Sequence, residues 1–141
     1  MSLPNYLIEK AIQSESGHLA WKREDIFIVI DELINNDYAI LGGDVWAIQT
    51  NKDSLLNKKL SYSQISVGII RGIDNNEMIF NWYSDKLENE QWKDFIRRSG
   101  ENSKDYIIKA NVENFAHEMY HQNIAYNIVF VDLKEFEKLR D

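Results

Sequence analysis

Tyr38-Ala39-Ile40-Leu41-Gly42-Gly43-Asp44-Val45-Trp46-Ala47-Ile48 is the stretch on which the fold turns. The apolar runs on both sides of Gly42-Gly43 read as one strand. The glycines weaken that strand, because they offer no side chain to pack and lose more backbone freedom than other residues. Glycines so placed mark a β-bulge or the close approach of another backbone. Asp44 and Trp46 follow at once, so the run fits either of two purposes: an aimed surface, or a bulge that bends a small sheet over its core. At least one of the two glycines is expected in a conformation that a β-carbon would strain.

Just upstream, Ile26, Val29, Ile30, Leu33 and Ile34 recur at helical spacing while Arg23, Glu24, Asp31 and Glu32 take the other side. That predicts an amphipathic helix, ended by Asn35-Asn36-Asp37. A shorter helix is predicted over Asn5 to Gln13. Trp21, just before the charged helix start, reads as a hydrophobic staple.

Downstream, Asp53 to Lys59 reads as a loop or a short helical turn. Ile65 to Arg71 and Glu77 to Ser84 read as two strands of a hairpin joined across Gly72-Ile73-Asp74-Asn75-Asn76. Met78, Phe80 and Trp82 alternate with Ile79, Asn81 and Tyr83, the period of a strand with two different faces. A long helical pattern begins after Asp85, which with Glu88 can form a capping box. Trp92, Phe95, Ile96, Ser99, Ser103, Tyr106, Ile107 and Ala110 keep its period through Gly100, as one helix or as two broken there. A further turn or two carries Val112, Phe115, Ala116 and Met119. Ile124 to Val131 is the most β-like run in the chain. Asp132 with Glu135 then caps a last helix holding Leu133, Phe136 and Leu139. A hairpin flanked by helices, without regular β-α alternation, predicts an α+β fold with a mainly antiparallel sheet packed with helices.

The 141 residues are expected to form a single domain, 1–141, long enough to bury a core without staples. Cysteine is absent, which removes disulfides and thiolate metal sites. No apolar run approaches the ~20 residues needed to span a bilayer. Met1-Ser2-Leu3-Pro4 lacks the order of a signal peptide, and residues 1–3 fit a cloning remnant; the expected compartment is the cytoplasm. Sixteen basic against 23 acidic residues give a net charge of -7, which argues against a nucleic-acid binder and suits a basic partner. The chain has no phosphate-binding G-x-x-x-x-G-K loop, no G-x-G-x-x-G and no nucleophile elbow, and no cofactor is expected.

His117-Glu118-Met119-Tyr120-His121 spells the zinc-peptidase motif H-E-x-x-H. On a helix, His117 and His121 can share a zinc ion while Glu118 activates a bound water. Against this, Val112, Phe115, Ala116 and Met119 form the apolar stripe, and helical periodicity turns both histidines nearly opposite it. Catalytic zinc also wants a third protein ligand, yet Ile124 and Asn127 stand where an extended motif has glycine and histidine. Only Glu135 and Glu137 remain downstream as a third ligand. A zinc-dependent hydrolase is therefore the alternative reading, behind a solvated polar face. His18 is given no role.

The aromatics, 12% of the chain, serve both cores and binding surfaces. Trp92 and Tyr106 lie on the apolar stripe of their helix and read as core. Trp46 and the Trp82-Tyr83 pair stand on strands beside Asp44 and Asp85, so these five residues are the expected partner-binding patch. The rival reading makes those rings core and pairs the acids with Arg97 or Arg98. One of these arginines is expected to pack its stem beside the buried stripe and meet a carboxylate such as Asp44 or Asp85.

Ala39-Ile40-Leu41-Gly42-Gly43-Asp44-Val45, then Asn81-Trp82-Tyr83, then Trp92-Lys93-Asp94-Phe95-Ile96-Arg97-Arg98-Ser99 with Tyr106-Ile107 resemble, in order and spacing, a family of bacterial polymorphic-toxin immunity proteins. The helix from Ile26 to Ile34 also fits, so the resemblance covers about residues 23–110. It gives Gly42, Gly43, Arg97, Arg98 and Ser99 as motif residues and implies a small cytoplasmic binding module that occludes a cognate toxin domain. It supplies no catalytic residue, and His117, Glu118 and His121 lie beyond it.

Overall fold

The computed structural model describes residues 3–14, 17–50, 65–68, 70–71, 77–78, 81–110 and 123–140. In chain order these carry α1 (Asn5–Lys10), β1 (Ile12–Gln13), β2 (Leu19–Trp21), α2 (Arg23–Asn35) and β3 (Ala39–Thr50). They continue with β4 (Ile65–Gly68), β5 (Ile70–Arg71), β6 (Glu77–Met78), β7 (Asn81–Tyr83), α3 (Trp92–Ala110), β8 (Asn123–Val131) and α4 (Leu133–Leu139). Six strands form one antiparallel sheet in the order β1-β2-β8-β3-β4, with β7 also paired to β3. The α+β class read from the element order holds.

β3 is the spine of this sheet. Along one side it pairs with β8 from Ala39 to Ile48. Along the other it pairs with β7 through Gly42, Gly43 and Asp44, and with β4 from Ala47 to Thr50. The predicted hairpin is thus divided. Ile70 pairs with Met78 and Arg71 with Glu77, while β4 and β7 on either side both add to β3. The connection 72–76, the segment Asp53 to Lys59 and the stretch holding Val112, Phe115, Ala116 and Met119 lie outside the described residues.

α2 buries Ile26, Val29, Ile30 and Leu33 at the predicted spacing. It ends where Asp37 takes a left-handed backbone, φ 65°. There the Asp37 amide donates to the Ile34 carbonyl at 3.3 Å and the Tyr38 amide to the Leu33 carbonyl at 2.9 Å. This pair of bonds satisfies the last open carbonyls and turns the chain straight into β3. α4 starts on the predicted capping box, with the Glu135 amide donating to Asp132 and the Asp132 amide to Glu135.

The main core lies between the sheet and the helices. Trp21, Val45, Trp82, Tyr126 and Ile128 from the strands meet Ile26, Ile30 and Leu33 of α2 and Ile107 of α3. α1 is shorter than predicted and joins through Leu3 and Leu7; the Trp21 indole donates to the Leu7 carbonyl at 2.8 Å. Trp21 is thus a strand residue that pins α1, not a staple in front of α2. α3 runs unbroken through Gly100, where a β-carbon would overlap the Ile34 side chain. The glycine costs helix propensity, about 1 kcal/mol against alanine, and lets α2 and α3 come together. α3 begins at Trp92, so Asp85 and Glu88 belong to the preceding loop and do not cap it.

Candidate functional site

The three separate motif segments converge on one bulge. Ile40 pairs with Phe130 and Gly42 with Val129, so Leu41 is an extra residue on β3. A bulge frees backbone groups that must find other partners. The Ile40 amide donates to Ser99 Oγ on α3 at 3.0 Å, and the Leu41 carbonyl accepts from the Ser84 amide just after β7 at 2.9 Å. Ser99 in turn donates to the Ile96 carbonyl at 3.1 Å. Ser99 therefore repairs the sheet from the helix layer.

Gly42 and Gly43 are required by space, not by dihedral angle. Among the described glycines only Gly17 has positive φ, so the expected strained conformation is not what selects them. A β-carbon on Gly42 would run into the Trp82 carbonyl, and one on Gly43 into the Asn127 carbonyl and the Trp82 ring. Trp82 fills the space that Gly43 leaves. It is 9% exposed, stacks on Tyr106 at a centroid distance of 4.9 Å, and donates from its indole to Ser103 Oγ at 3.0 Å.

Tyr83, the next residue along β7, points the other way and is 79% exposed. It pairs with Gly42, whose other neighbour is Val129, 51% exposed. One step along the same face lie Asn81, Asp44 and Asn127, and one step further Trp46 beside Ala125. Trp46 is buried with Ile12, Ala20 and Ala125 in a small cluster apart from the main core. Burial pushes the Asp44 carboxyl above its ordinary range, although the Trp46 indole donates to it and His18 acts in the opposite direction.

Of the five residues expected at a partner surface, Tyr83, Asp44 and Asp85 reach solvent wholly or in part, whereas Trp46 and Trp82 are buried on opposite faces of the sheet. Val129 was not among the five. Its signal lay in the unbroken apolar run Ile128-Val129-Phe130, since a strand apolar at successive positions shows apolar groups on both faces.

Asp85 opens a loop, residues 84–91, that α3 holds in place. Arg98 stacks over Phe95 at 5.4 Å and grips Glu90 with a forked pair of hydrogen bonds, both 2.8 Å. It also donates to the Asp85 carbonyl, while the Glu90 carboxylate accepts from the Leu87 amide at 3.0 Å. These contacts hold the Glu90 carboxyl at about 2, Arg98 being the larger cause and the Leu87 amide the next. The carboxylate paired with Arg98 is thus Glu90, where Asp44 or Asp85 had been expected; Arg97 is exposed. Between this loop and α4 lies a cleft of about 830 Å³, lined among others by Leu41, Leu87, Phe136, Leu139 and Arg140. Leu87 and Leu139 are 57% and 65% exposed.

Among the described residues, no three His, Asp or Glu side chains are grouped so as to hold a metal ion, and no helix is long and apolar enough to cross a membrane. His117, Glu118 and His121 lie outside the described residues. Neither a curated protein nor a solved structure matches the chain. A family model does: immunity protein 40 matches residues 10–130, which takes in the bulge, both glycines, β7, the serine-bearing helix α3 and nearly all of β8. On that match the chain belongs to the immunity protein 40 family.

Proposed function

We propose that the protein binds a cognate bacterial toxin domain of the polymorphic-toxin kind and neutralises it by covering its working surface, without catalysing a reaction. The observation that carries this reading is the match to the immunity protein 40 family over residues 10–130. The geometry supports it with a ready-made binding surface. An aromatic ring that reaches solvent (Tyr83), two acids (Asp44 and Asp85) and a cleft of mixed polar and apolar lining beside Leu87 lie around one rigidly braced bulge. Interfaces draw their energy from a few such anchors inside a polar rim. With a net charge of -7, the partner that fits best is a basic domain met in the cytoplasm.

Co-expression with the toxin domain encoded beside this gene tests the reading. The expected outcome is rescue of growth, recovery of a stoichiometric complex, and a toxin of unchanged mass. Rescue without a complex, with the toxin recovered cleaved by wild-type protein but intact beside a His117→Ala variant, would instead place a zinc-dependent hydrolysis at His117, Glu118 and His121.

A further inference from the structure

β7 lies at an edge of the sheet. It pairs with β3 on one side, and no strand among the described residues pairs with it on the other. Which of its backbone groups face that open side follows from the ladder. The Ser84 amide donates to the Leu41 carbonyl at 2.9 Å, so Leu41 and Ser84 are a hydrogen-bonded pair. Along antiparallel strands such pairs alternate with pairs that exchange no bonds. Gly43–Trp82 is therefore a bonded pair, whereas Gly42–Tyr83 and Asp44–Asn81 are not. The N–H and C=O of Asn81 and of Tyr83 turn away from β3, and none of them has a partner among the described residues. Both residues are exposed, Tyr83 at 79%, so water reaches this edge.

Proteins guard open edges with lysine, proline, a bulge in the edge strand or a covering element. β7 reads Asn81-Trp82-Tyr83, without lysine or proline, and the bulge of this sheet lies between β3 and β8. The strand is short but held from behind, by the Trp82 indole on Ser103 and by Ser84 on the Leu41 carbonyl. An edge fixed in extended form before a partner arrives loses little freedom on pairing. Arg98 already occupies the Asp85 carbonyl, so the open run ends there. The surroundings favour a basic occupant: Asp85 and Glu88 are exposed just beyond Tyr83, and the chain carries a net charge of -7.

We propose that an extended, lysine- or arginine-bearing segment of the toxin adds to β7 as a further strand, its backbone bonding to the outward N–H and C=O groups of Asn81 and Tyr83. This rests on the toxin-binding reading above and adds to it the mode of docking. Main-chain bonds supply the affinity, and the Tyr83 ring and the Asp85 carboxylate beside them supply the choice of side chains.

The test is hydrogen exchange at the Asn81 and Tyr83 amides, in the free protein and in its complex with the toxin domain encoded beside this gene. Both amides should exchange fast in the free protein and slow by about 10-fold or more in the complex. A second arm compares the toxin affinities of Tyr83→Ala and Tyr83→Pro. Both variants lose the ring, but only proline loses the outward amide and sets ring carbons in the path of an added strand. That amide has no internal bond among the described residues, so the two variants should unfold at similar midpoints. Tyr83→Pro is expected to bind about 30-fold more weakly than Tyr83→Ala. Should the proline variant not fold, the exchange result alone decides. A complex in which both amides still exchange fast overturns the proposal and leaves the function standing, as does equal binding by the two variants. Wild-type protein that binds no toxin overturns both. Amides that slow with protein concentration alone, in a dimer seen by sedimentation, would assign the edge to a second copy of this chain and overturn the proposal.

Discussion

Trp82 and Tyr83 are adjacent residues on one three-residue strand, yet one is 9% exposed and the other 79%. The two sides of the bulge differ in the same way. On the helix side the Ile40 amide, the Leu41 carbonyl and the Trp82 indole each have an internal partner. On the other side the two cross-strand neighbours of Gly42, Tyr83 and Val129, both reach water. The two glycines serve different neighbours: Gly43 makes room for the inward Trp82 ring, and Gly42 lets the β7 backbone come close. Rigidity on one side is what makes exposure on the other useful, since a surface anchored from behind loses little freedom when a partner docks.

The sharpest way to break the comparison is to truncate each aromatic in turn. Trp82→Ala should cost about 3–5 kcal/mol in denaturant unfolding, through lost burial and the cavity left over Gly43. Tyr83→Ala should stay within about 0.5 kcal/mol of wild type. Equal losses would mean that the two faces are not distinct. Gly43→Val comes next, at about 3 kcal/mol, because its β-carbon meets both the Asn127 carbonyl and the Trp82 ring. An unchanged unfolding midpoint would show that the close approach does not exist.

A smaller effect is expected at Ser99→Ala, which strands the buried Ile40 amide at a cost of about 1–2 kcal/mol. Faster hydrogen exchange at that one amide would locate the loss, and unchanged exchange would refute the repair of the bulge from α3. The smallest effect is that of acid on the loop. The folded Glu90 carboxyl lies at about 2, below its ordinary 4.5, so its contribution is complete above 4.5 and is lost as the pH falls from there toward 2. NMR titration of the Leu87 amide should therefore show a midpoint near 2, moving toward 4.5 in Arg98→Met. A wild-type midpoint already near 4.5 would mean that Arg98 does not hold the loop.

What could be read in the sequence was whatever short-range pattern decides. The stripe Ile26 to Leu33 gave α2, the apolar run 124–131 gave β8, and Asp132 with Glu135 gave the start of α4, all from spacing within a few turns. The glycine pair announced a bulge and a close approach, and both are present. The reason for the pair was misjudged, because dihedral freedom and missing volume leave the same letter in the sequence. β1 and β2 went unread: strands of two and three residues are too short for alternation to show, and β2 is fixed by its pairing with β8 far along the chain. The Asp85–Glu88 capping pattern misled for a related reason. Its local geometry is cheap, and Arg98, thirteen residues on, captures the Asp85 carbonyl and draws that segment into a loop. Of the site, the sequence named Tyr83 and Asp44; it could not distinguish the outward Tyr83 from the inward Trp82, since which face a strand turns to the helices is settled by its neighbours.

α4 has a consequence for the cleft that it borders. This seven-residue helix has no fully buried residue and is fastened at its first turn by the Asp132–Glu135 box and, midway, by Phe136 against Trp92 and Phe95. Past that point Leu139 and Arg140 line the cleft, and the Arg140 guanidinium lies back over the Phe136 ring at 5.9 Å. A helix this short does not persist by its own hydrogen bonds in water. Its place therefore rests on Phe136, against which Trp92, Phe95 and Arg140 all lie. The two walls of the cleft are thus pinned by different chemistry, one by the Arg98–Glu90 ion pair and the other by packed rings, so acid that discharges Glu90 loosens the first and leaves the second in place.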